Sequence, residues 1–301
     1  MKNIQGWISL YKPKDISSFK AINKIKKKFF IEKIGHAGTL DPLAEGVLPV
    51  AIGKATKLIS FINNDIKTYN FEVTWGSQTT TDDSDGTVLF ESKLFPNKLD
   101  ILKKIPNYLG HIKQIPPKVS AIKINGKRAY KLVREDKKFI IPPKLVFVKK
   151  LELITHMKNK TQFKIVCGKG FYIRSFARDL ARDLKTYGHI SSLEREKVGK
   201  FDKDRSILLD DLLKIGQRLN EINCILPTIT MLDDILAYEV VEKKDIEELS
   251  LGRSIRIDEN FFNNSQSNFD NKKNIFLSNN GDIVSFGKLV GNLFKPKKIL
   301  I

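Results

Sequence analysis

Between residues 67 and 76 the chain reads KTYNFEVTWG, and Tyr69, Phe71, Val73 and Trp75 alternate with Thr68, Asn70, Glu72 and Thr74. Successive side chains of a strand point to opposite faces, so this period of two predicts a strand with one buried face. GWISLYKP (6 to 13) alternates enough for a second strand, closed by its proline. Residues 17 to 30 change to the helical period. Ser17 or Ser18 is positioned to cap this helix, with Phe19, Ile22, Ile25 and Phe29 expected inward and Lys20, Lys24, Lys27 and Lys28 outward. A glycine-rich loop, IGHAGTLDPLAEGVL, leads into the apolar run VLPVAIG and a helical pattern, ATKLISFINN. SQTTTDDSDG reads as a polar turn, and Asn125–Gly126 as the tight turn of a hairpin between SAIKI and KRAYKLV. LVFVKKLELITHM and TQFKIVCG are expected to be strands joined through KNK. A helix should run from about Arg174 to Tyr187 and stop at Gly188.

Strands and helices mix without a regular βαβ alternation, and many strand pairs are hairpins. The predicted class is α+β with a mixed, largely antiparallel sheet. From about Ala237 the texture changes: a short helix, EKKDIEEL, reaches Gly252, and short strands follow around RSIRI, IFLSN and DIVSFGKLVG, with the Asn/Ser-rich FFNNSQSNFDNKKN between them read as a surface loop. The expected division is a large domain over 1–235 and a small β-rich one over 236–301.

At 301 residues and 41% apolar content the chain is long enough for a sizeable core. No run approaches the roughly 20 apolar residues of a membrane span, and no signal-like core develops near the start, so a soluble, cytoplasmic protein without a membrane partner is expected. Cys167 and Cys224 lie far apart and the four histidines are scattered, which disfavours a zinc site or a disulfide framework. The formal charge is +19. It is uneven: residues 1–235 hold 43 basic and 25 acidic side chains, residues 236–301 hold 10 and 9. That asymmetry points to a polyanion, most economically nucleic acid, bound by the larger part, against the alternative of a merely solvated basic surface.

GVLPVAIGK (46 to 54) superficially suggests a phosphate-binding loop. Six residues separate its glycines where four are required, and Ala55 follows the lysine, so no nucleotide-triphosphate site is expected. GHAGTLDPLAEG (35 to 46) is different. Gly35 and Gly38 permit close backbone approach and Pro42 fixes the chain after Asp41. Two readings stay open: a carboxylate held rigidly for chemistry at a loop-to-helix junction, or an ordinary cap of a helix starting at Pro42.

GHAGTLDPLAEGVLPVAIGKATK resembles, nearly position for position, the catalytic motif of the TruB family of tRNA pseudouridine synthases. LYKP (10 to 13), KTYNFEV with Tyr69, TTTDDSDG, PPKVSAIKINGKRAYKLVRE and GKGFYIRSFARDL (168 to 180) are similar to further family blocks, in order. The tail resembles the family's small PUA-type RNA-binding module.

The resemblance implies a pseudouridine synthase catalytic domain that isomerises uridine at position 55 of the TΨC arm, by base flipping and without metal or cofactor. Asp41 would be the catalytic residue, paired with Arg174, whose planar fork can hold it in two hydrogen bonds. Tyr69 would be the stacking platform, Tyr172 a pocket wall, and Leu193 the apolar residue under the uracil. His36 would enter the space that the base leaves. Asp83 is either a polar residue near the site or part of a turn, and Lys12 either supports the catalytic loop or is a surface charge. The family often has two arginines after the leucine. Here Leu193 is followed by Glu194, Arg195 and Glu196, and these acids are expected to weaken a phosphate contact. The implied partner is the tRNA T-arm, bound by a monomer with no obligate protein partner, with an accessory tRNA-folding role compatible with the same surface. A guide-RNA-dependent synthase and a non-catalytic RNA-binding protein remain the competing readings. Activity on naked tRNA separates the first, and the effect of Asp41→Asn the second.

Overall fold

The computed structural model describes residues 4–62, 66–216, 224–231, 236–258, 274–280 and 282–301. A ten-stranded sheet forms the body. Its order is Ile207–Leu208, Gly6–Lys12, Glu45–Ile52, Gly188–Val198, Lys67–Trp75, Lys160–Cys167, Lys144–Met157 and Gly110–Gln114, with Ile34–His36 and Phe201–Asp202 branching from the third and fourth. Two pairings are parallel, Gly6–Lys12 with Ile207–Leu208 and Glu45–Ile52 with Gly188–Val198, and the others are antiparallel. The fold is the mixed, largely antiparallel α+β architecture that the patterning predicts.

Lys67–Trp75 is central because its apolar face is complete: Tyr69, Phe71, Val73 and Trp75 are all buried. Phe71 lies opposite Phe163 on one neighbour and Leu193 on the other. Helix Ile173–Asp183 covers this face, its Phe176 meeting Phe71 and Phe163 edge-on, each at 5.7 Å between ring centroids. Such edge-to-face contacts add about 0.5–1.5 kcal/mol each beyond area burial.

Several local expectations are corrected. Phe19 is 67% exposed; helix Ser18–Lys28 buries Ser18, Ala21, Ile22 and Ile25 instead, and at 100° per residue Phe19 lies well off that stripe. The helix predicted to reach Tyr187 ends at Asp183, where Lys185 takes a left-handed conformation (φ 57°) without a glycine. Gly188 instead opens a strand, close against the Trp75 ring. ATKLISFINN is partly 3₁₀, over Gly53–Leu58, before a single α turn at Ile59–Ile62. The Asn125–Gly126 turn forms as expected, both residues with positive φ.

A second, five-stranded sheet is built wholly from the C-terminal part: Leu236–Glu239, Asn274–Asn279, Asp282–Val290, Leu293–Ile299 and Ile255–Arg256, in that order. Its first and fourth strands are not apparent in the sequence pattern. The predicted helix is there, Lys243–Ser250, followed by Gly252 at φ 78°. The Asn/Ser-rich stretch 261–273 lies outside the described residues. One face of this sheet shares a core with the first: Phe276, Ile283, Phe286 and Leu300 pack with Trp7, Val47, Ala51, Leu58 and Phe201. Among the described residues no helix is long and apolar enough to cross a membrane.

Candidate active site

Residues 37–44 connect strand Ile34–His36 to strand Glu45–Ile52, and the loop is pinned from several sides. Ser18 Oγ donates to the Leu40 carbonyl (2.9 Å) and accepts from the Leu40 N–H (2.8 Å). Ser17 is the helix cap, accepting from the Lys20 N–H, which leaves Ser18 for this role. The Asp15 N–H donates to the Pro42 carbonyl at 2.9 Å. Lys12 is fully buried and is no surface charge: its Nζ donates to the carbonyls of Pro13 and Ile16 at 2.8 and 2.7 Å and reaches that of Pro42 at 3.4 Å. Burial pulls its ammonium down to about 8, with Asp41 opposing. No helix starts at Pro42. Residues 41–44 form a bend closed by the Ala44 N–H on the Asp41 carbonyl, so Asp41 stands at a loop-to-strand junction and caps nothing.

The Asp41 carboxylate therefore faces outward from a fixed backbone, its side chain 38% exposed, with Oδ2 2.8 Å from Arg174 Nη2. The expected two-bond fork on Asp41 does not form, because the rest of the guanidinium is already engaged. Nε lies 3.4 Å from Asp83 Oδ2, Nη1 donates to the Thr81 carbonyl and Nη2 also to that of Val119. One buried cation thus ties together the Asp41 loop, the acidic hairpin turn and the 115–121 segment.

The hairpin turn is not the solvated loop its composition suggests. Asp82 and Asp83 are both buried. Asp83 accepts from the Thr81 hydroxyl and the Asp85 N–H, and burial pushes its carboxyl up while Thr81 and Arg174 pull it down. Asp82 pairs with Arg178, one turn further along the helix from Arg174, at 3.1 Å. A pattern-based reading misses this second ion pair, since it depends on residues 96 positions apart.

A cleft of about 270 Å³ opens beside Asp41, and Tyr69, Tyr172, Arg174 and Leu193 line it. Burial raises the Tyr69 phenol, which keeps it protonated, although the Arg195 guanidinium draws it the other way. The Tyr172 backbone is clamped by Gln114, whose amide both donates to its carbonyl and accepts from its N–H. His36 is not in the lining. It is half-buried on its strand, its Nδ1 has no hydrogen-bond partner among the described residues, and burial and then Arg195 lower its pKa.

Arg195 lines the cleft as well, a position that the sequence motifs do not mark. Only 1% exposed, it donates from Nε to the Val47 carbonyl (2.8 Å) and from Nη2 to the Gly38 carbonyl (2.9 Å), bracing the loop from beneath. The available signal was strand alternation, which puts Arg195 on the face of Leu193. Glu194 and Glu196 take the opposite face, where Tyr11 donates to Glu194, and Lys164 and Lys203 pair with Glu196. Neither acid lines the cleft, which removes the reason for expecting them to oppose a phosphate there. Among the described residues no group of three or more His, Cys, Asp or Glu side chains is close enough to share a metal ion.

Comparison with known proteins gives a consistent picture. Residues 26–173 match the TruB family pseudouridylate synthase N-terminal domain. The chain is 38% identical to the tRNA pseudouridine synthase B of Bartonella bacilliformis, over 99% of its own length and 96% of that protein. It is 41% identical to that of Ehrlichia chaffeensis, over 84% and 86%, and 38% identical to that of Anaplasma marginale, over 98% and 96%. Among solved structures it resembles a chain of an H/ACA RNP bound to a substrate RNA containing 2′-deoxyuridine, with a TM-score of 0.72, 19% identity and coverage of 98% and 85%. A chain of a Cbf5-Nop10-Gar1 complex gives a TM-score of 0.71 at 20% identity, with the same coverage. At these identities the structural likeness concerns the fold.

Proposed function

The chain belongs to the TruB family of pseudouridylate synthases, and from that premise we propose that this tRNA uridine isomerase acts at position 55 of the TΨC arm, with Asp41 as its catalytic residue. The observation that carries the reading is the Asp41 carboxylate, paired with buried Arg174 at 2.8 Å on the rim of a cleft whose lining includes Tyr69, Tyr172 and Leu193.

The reaction breaks the N1–C1′ bond, turns the uracil and joins C5 to C1′. The C5 hydrogen leaves to solvent and N1 regains one. An anionic nucleophile or stabiliser is needed beside the sugar and base, and Asp41, held 2.8 Å from Arg174, is placed to supply it. A cleft of this size accommodates one extruded nucleoside and no duplex, so the target uridine has to leave its stack before Asp41 reaches it. Tyr69 offers an aromatic face worth roughly 1–3 kcal/mol of stacking, and Leu193 an apolar floor. Tyr172 closes a side wall. Asp83 and Lys12 act as positioning residues, one through Arg174 and the other through the Pro42 carbonyl. His36, next to the catalytic loop in sequence, is assigned to the space vacated by the base.

Residues 236–301 are read as a PUA-like RNA-binding module, with Lys295, Lys297 and Lys298 exposed for phosphate contact. The enzyme is taken to work as a monomer in the cytoplasm, without metal, cofactor or guide RNA. The test is tritium release from a T-arm stem-loop carrying C5-tritiated uridine at the target position, using purified protein in chelator. Release of one equivalent is expected from the wild type and none above background from Asp41→Asn. Turnover by Asp41→Asn at the wild-type rate would remove Asp41 from the mechanism.

A further inference from the structure

The cleft contains a polar group that the mechanism above leaves unused. Ser120 lines it and is 5% exposed, and its Oγ is one of two buried side-chain polar atoms without a hydrogen-bond partner among the described residues. The other, His36 Nδ1, lies outside the lining. Buried hydroxyls are seldom left unpaired, because the water they gave up has to be replaced.

The backbone around Ser120 is held on both sides. The Ser120 carbonyl accepts from the Tyr130 N–H at 3.0 Å, and the preceding carbonyl, of Val119, accepts from the Arg174 Nη2 that also pairs with Asp41. A group fixed to Arg174 in this way keeps its distance from Asp41. The Tyr172 phenol is its polar neighbour: burial raises that phenol and the adjacent Ser120 hydroxyl pulls it back down, although the pair does not meet ordinary hydrogen-bond geometry. Serine has a single χ angle, so a staggered turn carries Oγ toward the cleft with no backbone movement.

We infer that Ser120 donates a hydrogen bond to a carbonyl oxygen of the extruded uracil and so sets the angle at which the base meets Asp41. The inference rests on the isomerase reading above. A base oxygen is favoured over a phosphate oxygen by chemistry: Lys67, Lys169 and Arg195 line the same cleft, and an anionic oxygen is better served by those cations than by a neutral hydroxyl. A uracil carbonyl in the cleft supplies the partner that this hydroxyl lacks among the described residues.

The experiment measures single-turnover rates for wild type, Ser120→Ala and Ser120→Thr on T-arm RNAs carrying uridine, 2-thiouridine or 4-thiouridine at the target. A fourth RNA carries a phosphorothioate beside a normal uridine. Loss of one hydrogen bond of ordinary worth predicts about a tenfold slower Ser120→Ala on uridine, with Ser120→Thr near wild type. Sulfur accepts hydrogen bonds poorly, so the gap between wild type and Ser120→Ala should shrink on one of the two thio-RNAs. RNA affinity should change less than about threefold, since phosphate contacts dominate it. The inference is overturned if Ser120→Ala matches wild type on uridine, if the gap is the same on every RNA, or if it closes only on the phosphorothioate RNA. Wild-type protein that releases no tritium would instead overturn the isomerase reading itself.

Discussion

Arg174 serves two carboxylates and two carbonyls with three nitrogens, and that division of labour decides what can replace it. Lysine keeps the charge but has one nitrogen on a flexible stem, so it cannot hold Asp41, Asp83, Thr81 and Val119 together. Arg174→Lys should slow the chemical step by about 100-fold or more, as misplacement of a reacting group does. T-arm affinity should stay within about threefold, and filter binding beside single-turnover tritium release separates the two effects. Lys12 gives a pH signature with a definite sign. Its folded pKa of about 8 lies below the ordinary 10.5. Between those values the unfolded chain holds a proton that the folded chain has lost, so this group makes the folded state gain stability as pH rises through that window. Urea unfolding at about pH 7.5 and about pH 9.5 should show a rise in wild type relative to Lys12→Met. Equal pH dependence in the two proteins would mean that burial does not lower the Lys12 ammonium.

The Asp41 loop owes its shape to the strands and the helix around it, and glycine matters where two backbones meet. Gly46 has φ 110°, and a Cβ there would come within 2.3 Å of the Arg195 carbonyl oxygen. Gly46→Ala should therefore force apart Glu45–Ile52 and Gly188–Val198. A loss of about 2 kcal/mol or more is expected, read as a lower urea midpoint. Slower turnover should accompany it, because Arg195 braces Gly38 from that strand. At this scale the alternation of Tyr69, Phe71, Val73 and Trp75 was legible, since a local period encodes a local face. Phe19 was misread because three positions from Ile22 is compatible with the inner stripe, and only packing shows where the stripe is centred. The burial of Asp82 and Asp83 was not legible for another reason: turn-forming residues bury their charges only when cations arrive from elsewhere, here from Arg174 and Arg178.

The two sheets share one apolar cluster, from Trp7 in the first strand to Leu300 near the end of the chain. Phe286 is fully buried there, and Phe286→Ala should cost about 3–5 kcal/mol. Because the cavity opens between the sheets, the cost should appear as a downward shift of a single thermal transition, followed by circular dichroism; loss of the C-terminal sheet alone, with the main transition unmoved, would show that the modules are independent. Asp41, Tyr69 and Arg174 as a set were recognisable only through the resemblance to the TruB family's motifs. The glycine-rich loop around Asp41 and the strand that carries Tyr69 were legible along the chain, because close backbone approach and strand periodicity are properties of neighbouring residues. Fold class was legible for the same reason. The sharing of Arg174 between Asp41 and Asp83, the bracing of the loop by Arg195 and Ser18, and the unpaired hydroxyl of Ser120 were decided only by tertiary structure. Each of these depends on the distance between groups far apart in sequence, and packing of the sheet and helix, not local propensity, sets that distance.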